Sequence, residues 1–142
     1  MELNNIYTEL IMEHSTSSHN RRHLEYPDVC EKGHNPSCGD EITLEIKYKD
    51  NILEDVAFVG QGCAISQAST SIMIDLIKGK TKEEALEIVS IYINMIKRDK
   101  TGEDELLRLE DAIVFKNISN MPARVKCAVI AWHTLSEAIG RS

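Results

Sequence analysis

The chain has 142 residues, enough for one well-buried core and short for two ordinary domains, so a single domain over 1–142 is expected. A hydrophobic share of 42% with 27% charged residues is that of a chain that folds rather than one that stays disordered. A formal charge of -7 and an aromatic share of 5% argue against nucleic acid as a partner, because phosphates are repelled and bases find few rings to stack on.

No run approaches the ~20 apolar residues of a membrane helix. The start, Met1-Glu2-Leu3-Asn4-Asn5, lacks the basic-then-apolar order of a signal peptide. A cytoplasmic protein with no membrane partner is therefore expected. Thiols are kept reduced in that compartment, so Cys30, Cys38, Cys63 and Cys127 read as metal ligands or reactive thiols rather than as disulfide partners.

In chain order, Ile6, Leu10 and Ile11 at helical spacing predict a first short helix over 5–14, with Glu9 and Glu13 on the other side. The serines and basic residues that follow, through Arg21, Arg22 and His23 to Tyr26-Pro27, read as loop. Strict alternation over 41–49, with Ile42, Leu44, Ile46 and Tyr48 on one side, predicts a half-buried strand. Asp50-Asn51 supplies a turn, and Val56 and Phe58 share a face of a second strand over 52–59, giving an antiparallel hairpin that ends at Gly60-Gln61-Gly62-Cys63.

A helix is expected over 64–78 with Ile65, Ala68, Ile72 and Leu76 inward and Gly79 as its left-handed stop. Its Ser66, Ser69, Thr70 and Ser71 are expected on the helix surface, with small side chains that permit close packing; Gly60-Gln61-Gly62 lacks the Gly-Lys-Ser/Thr that would make a phosphate loop. Thr81-Lys82-Glu83-Glu84 fits a capping box, opening a helix that buries Leu86, Val89, Ile93 and Ile96. A charged connection over 97–105 leads to a short helix holding Leu106, Leu107, Leu109 and Ile113. Pro122 then opens a last helix with Val125, Ala128, Val129, Trp132 and Leu135 as its apolar stripe.

Three cysteines stand at element boundaries: Cys38 before the hairpin, Cys63 at its exit and Cys127 in the opening turns of the last helix. Gly39 lets the backbone turn so that Cys38 and Asp40 can face one metal. At a helix N-terminus the Cys63 thiolate would be stabilised by unpaired N–H groups and the helix dipole. Three thiolates and one carboxylate suit tetrahedral zinc or iron in a sulfide cluster. The carboxylate, a harder ligand, is expected to be exposed and exchangeable.

The runs Asn35-Pro36-Ser37-Cys38-Gly39-Asp40, Gly60-Gln61-Gly62-Cys63-Ala64-Ile65-Ser66 and Pro122-Ala123-Arg124-Val125-Lys126-Cys127 resemble, in order, the three signature segments of U-type iron-sulfur cluster assembly proteins, the IscU and NifU N-terminal family. The resemblance runs from the Tyr7 helix to the Trp132 helix and favours the SufU branch. Lys126 stands where the IscU type carries histidine, Met121-Pro122-Ala123-Arg124 replaces its Leu-Pro-Pro-Val-Lys loop, and the stretch between Cys63 and Cys127 is long.

What the resemblance implies is an α+β fold, a small antiparallel sheet of two to three strands against about five helices. It also implies a zinc site of Cys38, Asp40, Cys63 and Cys127, with Cys38 matching the family's sulfur acceptor and Arg124 a supporting arginine. The implied partners are a SufS-like cysteine desulfurase that hands over persulfide sulfur and downstream cluster-assembly proteins, so the chain would be a sulfur-transfer partner rather than a stand-alone enzyme. Two alternatives stay open: a scaffold holding iron as a 2Fe–2S cluster on the same four residues, and a structural zinc module that only binds partners. Cys30 falls outside the motifs and is read as an unassigned thiol; His14, His19 and His23 are read as solvated, His34 as superfluous to a full ligand set, and His133 as facing away from Cys127, about 240° round the helix.

Overall fold

The computed structural model describes residues 2–35 and 39–141, with side chains throughout except at residues 2–8 and 119. The expected hairpin is present as β2 (Asp40–Lys49) and β3 (Ile52–Gln61), joined by a turn in which Asp50 takes a φ of 58°. Leu44 stands opposite Phe58 and Ile46 opposite Val56, so the apolar positions of the two strands fall on one face, and all four are buried. The register shifts between Lys47 and Tyr48, which leaves Tyr48 half-buried with the Lys82 ammonium 4.3 Å from its ring centre.

A third strand, β1 (Val29–Asn35), pairs antiparallel with β2 in the order β1-β2-β3. Its sequence, Val-Cys-Glu-Lys-Gly-His-Asn, is polar and carries no clean apolar alternation, so the pattern of the hairpin has no echo there. Glycine is needed at position 33 because a Cβ would come within 1.9 Å of the Thr134 hydroxyl oxygen on the last helix.

Among the described residues the α-helices are α1 (Glu2–Thr16), α2 (Ala64–Ile77), α3 (Lys82–Ile96), α4 (Glu103–Leu107) and α5 (Pro122–Arg141), of which α2 and α5 pack on the sheet. α1 runs beyond the expected 5–14; Leu10 and Ile11 pack against the core, while the Ile6 side chain lies outside those described. The helix expected around 106–113 is split, because Glu110 adopts a φ of 48° and a right-handed α-helix cannot run through that conformation. Two 3-10 turns, Glu110–Phe115 and Ile118–Asn120, carry the chain onward.

α2 is the central helix, packed on α1, α5 and β3, and this corrects the surface placement of its hydroxyl residues. Ser66, Ser69, Thr70 and Ser71 are all buried. Their small size allows α1 and α5 to approach from both sides, and three of them find partners: Ser69 Oγ donates to the Ala128 carbonyl at 2.7 Å, Thr70 Oγ1 to the Ser66 carbonyl at 2.8 Å, and Ser71 Oγ accepts from Asn20 Nδ2 at 3.1 Å. Gly79, with a φ of 87°, ends the segment as expected.

α3 opens on the expected capping box, Glu84 N–H donating to Thr81 Oγ1 and Thr81 N–H to Glu84 Oε1, both at 3.1 Å. Its buried face is rotated from the one expected: Ala85, Ile88, Val89, Tyr92, Met95 and Ile96 point inward, Ile93 is half-buried and Leu86 is exposed. The Tyr92 ring stacks on Trp132 of α5 at 3.7 Å between centroids, which fixes the rotation of α3. α5 begins at Pro122, and Trp132 anchors it to α2 by donating from Nε1 to Ser69 Oγ at 2.9 Å.

Candidate metal centre

The hairpin and two helices converge on three side chains. Asp40 is the first residue of β2, set by Gly39, which takes a φ of 73° and donates its N–H to the Asn35 carbonyl at 3.0 Å. Cys63 is the N-cap of α2, with extended backbone and a side chain that makes no capping hydrogen bond, leaving the sulfur to other uses. Cys127 sits in the second turn of α5 and is buried. One carboxylate oxygen of Asp40 and the sulfurs of Cys63 and Cys127 all lie within 4.8 Å of one another, the one cluster of its kind among the described residues. That spread is close to what a single cation with bonds of about 2.0–2.3 Å can span.

The backbone is shaped around this point. The Cys63 N–H donates to Asp40 Oδ1 at 3.0 Å, tying the exit of the hairpin to its start. At Gly60, with a φ of 138°, a Cβ would stand 2.0 Å from the Glu41 carbonyl oxygen; at Gly62 it would stand 2.5 Å from Asp40 Oδ1 and 2.9 Å from Ser66 Oγ. These glycines therefore do more than end a strand: they let the chain pass tightly over the carboxylate. Two sulfurs and an oxygen, drawn together with no side chain between them, fit the donor set of zinc or of iron–sulfur chemistry.

Cys38 lies outside the described residues, as do Pro36 and Ser37. Asp40 corrects one expectation: it is wholly buried, because β1 covers its position on one side and the Cys63 turn on the other, so its carboxylate is not an exposed ligand. Arg124 and Lys126 are exposed on the first turns of α5. His133 and His34 line a groove of about 300 Å³ between β1 and α5, together with Lys32, Lys126 and Glu137, and do not join the three-residue cluster.

Of the other histidines, His19 and His23 are exposed as expected and His14 is half-buried. His14 Nδ1 and Ser71 Oγ are 2.9 Å apart, His19 Nε2 lies 3.3 Å from Asp75, and His23 Nδ1 lies 2.6 Å from Glu45. They fasten α1 and the following loop to α2 and the sheet. Cys30 is exposed on β1 opposite Glu45; partial burial, then the Glu45 charge, pushes its thiol above the ordinary value. Ser66, read from sequence as helix surface, is buried beside Asp40, and its Oγ has no hydrogen-bond partner among the described residues. Its signals in the sequence were its place three residues after Cys63 and at the end of the second signature run.

Residues 6–141 match the family model described as the NifU-like N terminal domain. The chain is 37% identical over 141 residues to a Streptococcus pyogenes protein named iron-sulfur cluster assembly scaffold protein IscU, covering 99% of this chain and 87% of that one. It is 36% identical over 139 residues to the Bacillus subtilis zinc-dependent sulfurtransferase SufU, covering 98% and 92%. The crystal structure of FiSufU from Fervidobacterium islandicum AW-1, assigned as an iron-sulfur cluster assembly scaffold for the SUF system, superposes with a TM-score of 0.87 at 42% identity, covering 96% of this chain and 98% of that one. With its sequence and its fold matching across nearly the whole length, this chain belongs to the NifU-like N-terminal domain family of iron–sulfur cluster assembly proteins, the family of IscU and SufU.

Proposed function

We propose that this chain is a zinc-dependent sulfur acceptor working with a SufS-like cysteine desulfurase in the cytoplasm, acting through one U-type unit that spans the chain. The observation that carries the reading is the convergence of Asp40, Cys63 and Cys127 within 4.8 Å. Cys38 is the fourth ligand and the acceptor. A bound zinc ion holds its thiolate ligands deprotonated at neutral pH. Cys63 and Cys127, carried on two different helices, anchor the centre; Asp40 joins β2 to it. Lys126, in place of the histidine of the IscU type, supports sulfur acceptance over cluster holding, as does the name of the Bacillus subtilis relative.

The transfer step is a thiol–disulfide-type exchange. The Cys38 thiolate attacks the terminal sulfur of the donor's cysteine persulfide, a new S–S bond forms on Cys38, the donor's S–S bond breaks, and the donor cysteine leaves as a thiolate. Arg124, exposed on α5 three residues before Cys127, steers the donor or its departing thiolate. The product persulfide then passes to downstream cluster-assembly proteins.

The second reading, a scaffold for a 2Fe–2S cluster on the same residues, draws on the relatives named as scaffolds. Metal analysis and absorption spectra of anaerobically purified chain separate the two: stoichiometric zinc without visible bands supports the acceptor, and sulfide with charge-transfer bands supports the scaffold. Desulfurase turnover stimulated by the chain is expected to fall for Cys38→Ala. Unchanged turnover in that variant, or full stimulation after all metal is removed, would overturn the acceptor reading.

A further inference from the structure

We propose that Ser66 is a positioning residue for the metal centre, its hydroxyl donating to the Asp40 carboxylate when a metal is bound. The inference rests on the metal reading above and names a residue outside the ligand set.

Ser66 is the third residue of α2, one turn in from Cys63. Its hydroxyl is the exception on its helix. Ser69, Thr70 and Ser71 each hold a hydrogen bond, whereas Ser66 Oγ is buried and has no partner among the described residues. Folded proteins leave few buried polar atoms in that condition, because the lost hydration is not replaced. An alanine would fill the same helical position with better propensity and nothing left unpaired, so packing alone gives no reason for a hydroxyl here.

Position supplies the reason. A Cβ built on Gly62 would touch both Ser66 Oγ, at 2.9 Å, and Asp40 Oδ1, at 2.5 Å; hydroxyl and carboxylate thus bound the same small gap over that glycine. Oδ1 already accepts the Cys63 N–H. A carboxylate that gives one oxygen to a cation keeps lone pairs on the other, and donors on that second oxygen fix which oxygen ligates and how it is turned. Ser66 and the Cys63 amide, both from the first turn of α2, are the donors placed to hold Oδ1 and leave the remaining oxygen to the cation.

The test uses the full-length metal-free chain and Co²⁺, whose visible d–d absorption reports binding, in competition with a chelator and in parallel with Zn²⁺. Ser66→Ala is expected to lower metal affinity roughly tenfold, the lower end for loss of an outer hydrogen bond to a ligand. In an Asp40→Ala background it is expected to have no further effect, since its action runs through that carboxylate. The metal-free Ser66→Ala chain is expected to unfold at the same or a higher urea concentration, because an unpaired hydroxyl has been removed. Equal affinity of wild type and Ser66→Ala overturns this inference alone. So does a loss of the same size with and without Asp40, or a loss matched by destabilisation of the metal-free chain. A wild-type chain that takes up neither metal overturns the metal reading itself, and this inference with it.

Discussion

The backbone N–H of Cys63 donates to Oδ1 of Asp40 at 3.0 Å, so the carboxylate supports the fold before it serves any metal. It joins the start of β2 to the N-terminus of α2 and satisfies an amide that the helix itself leaves unpaired. Asp40→Asn and Asp40→Ala are therefore expected to differ. Both are expected to weaken metal binding if Asp40 is a ligand as proposed, but asparagine keeps an acceptor for the amide, while alanine strands it and is expected to destabilise the metal-free chain by about 1–3 kcal/mol. Urea unfolding of the metal-free variants measures this; equal midpoints would show that the bond contributes nothing to the fold.

Gly60 and Gly62 stand two residues apart and make opposite predictions. A methyl at Gly60 meets the Glu41 carbonyl oxygen at 2.0 Å with the backbone at a φ of 138°, so Gly60→Ala must distort the hairpin and is expected to cost about 3 kcal/mol or more. At Gly62 the nearest atoms belong to the side chains of Asp40 and Ser66. Gly62→Ala is thus expected to retain the fold by circular dichroism while losing metal affinity, because the carboxylate is what moves. A fold lost equally in both variants would refute the distinction.

Exposed Arg124 makes no hydrogen bond or ion pair with its side chain among the described residues. Arg124→Ala is accordingly expected to leave the urea midpoint within about 0.5 kcal/mol of wild type. If the residue steers a sulfur donor, stimulated desulfurase turnover falls several-fold with metal content unchanged. Full turnover would return Arg124 to an ordinary surface charge.

What could be read from the sequence follows from how local each signal is. The hairpin was legible because alternation from Ile42 to Phe58 is a property of neighbours, and the α3 start because Thr81 and Glu84 are three residues apart. The pairing of Asp40, Cys63 and Cys127 came from glycine settings and motif resemblance. β1 was not legible: its strand state depends on the β2 edge it completes. Ser66, Ser69, Thr70 and Ser71 misled for the same reason, since a hydroxyl-rich helix looks exposed until α1 and α5 are known to close over it. Leu86 and Ile93 were assigned inward by hydrophobicity, yet the Tyr92–Trp132 stack sets the rotation of α3, and that stack is a contact between residues far apart in the chain.

Asp55 contributes to the fold in a way that depends on pH. Its partial burial alone would raise the carboxyl, but hydrogen bonds from Arg22, at 2.6 Å, and Lys78, at 3.1 Å, outweigh it and hold the group below its usual range. A carboxyl depressed in the folded state adds stability that is fully present above its unfolded value, about 3.9, and is lost as pH falls through the lower folded value. Asp55→Asn is expected to be less stable than wild type by about 1 kcal/mol at pH 7, with the gap closing below about pH 4. A gap that stayed constant down to pH 2 would mean that the charge is not its source.

Cys30 separates exposure from reactivity. It is the exposed thiol among the described cysteines, yet partial burial and then the Glu45 charge push it above the ordinary thiol value, and the thiolate is the form that reacts. Iodoacetamide at pH 7 is therefore expected to modify Cys30 more slowly than an unstructured peptide thiol, with the rate still rising with pH above about 9. Glu45→Gln keeps an acceptor for the Leu24 N–H, which Glu45 Oε1 now binds at 2.7 Å, and removes the charge. Modification of Cys30 in that variant, followed by mass spectrometry of its peptide, is expected to be faster at pH 7, because the charge that helps to raise the thiol has gone. Cys30→Ala should leave both metal content and sulfur acceptance unchanged; a loss of either would bring this edge-strand thiol into the chemistry of the centre.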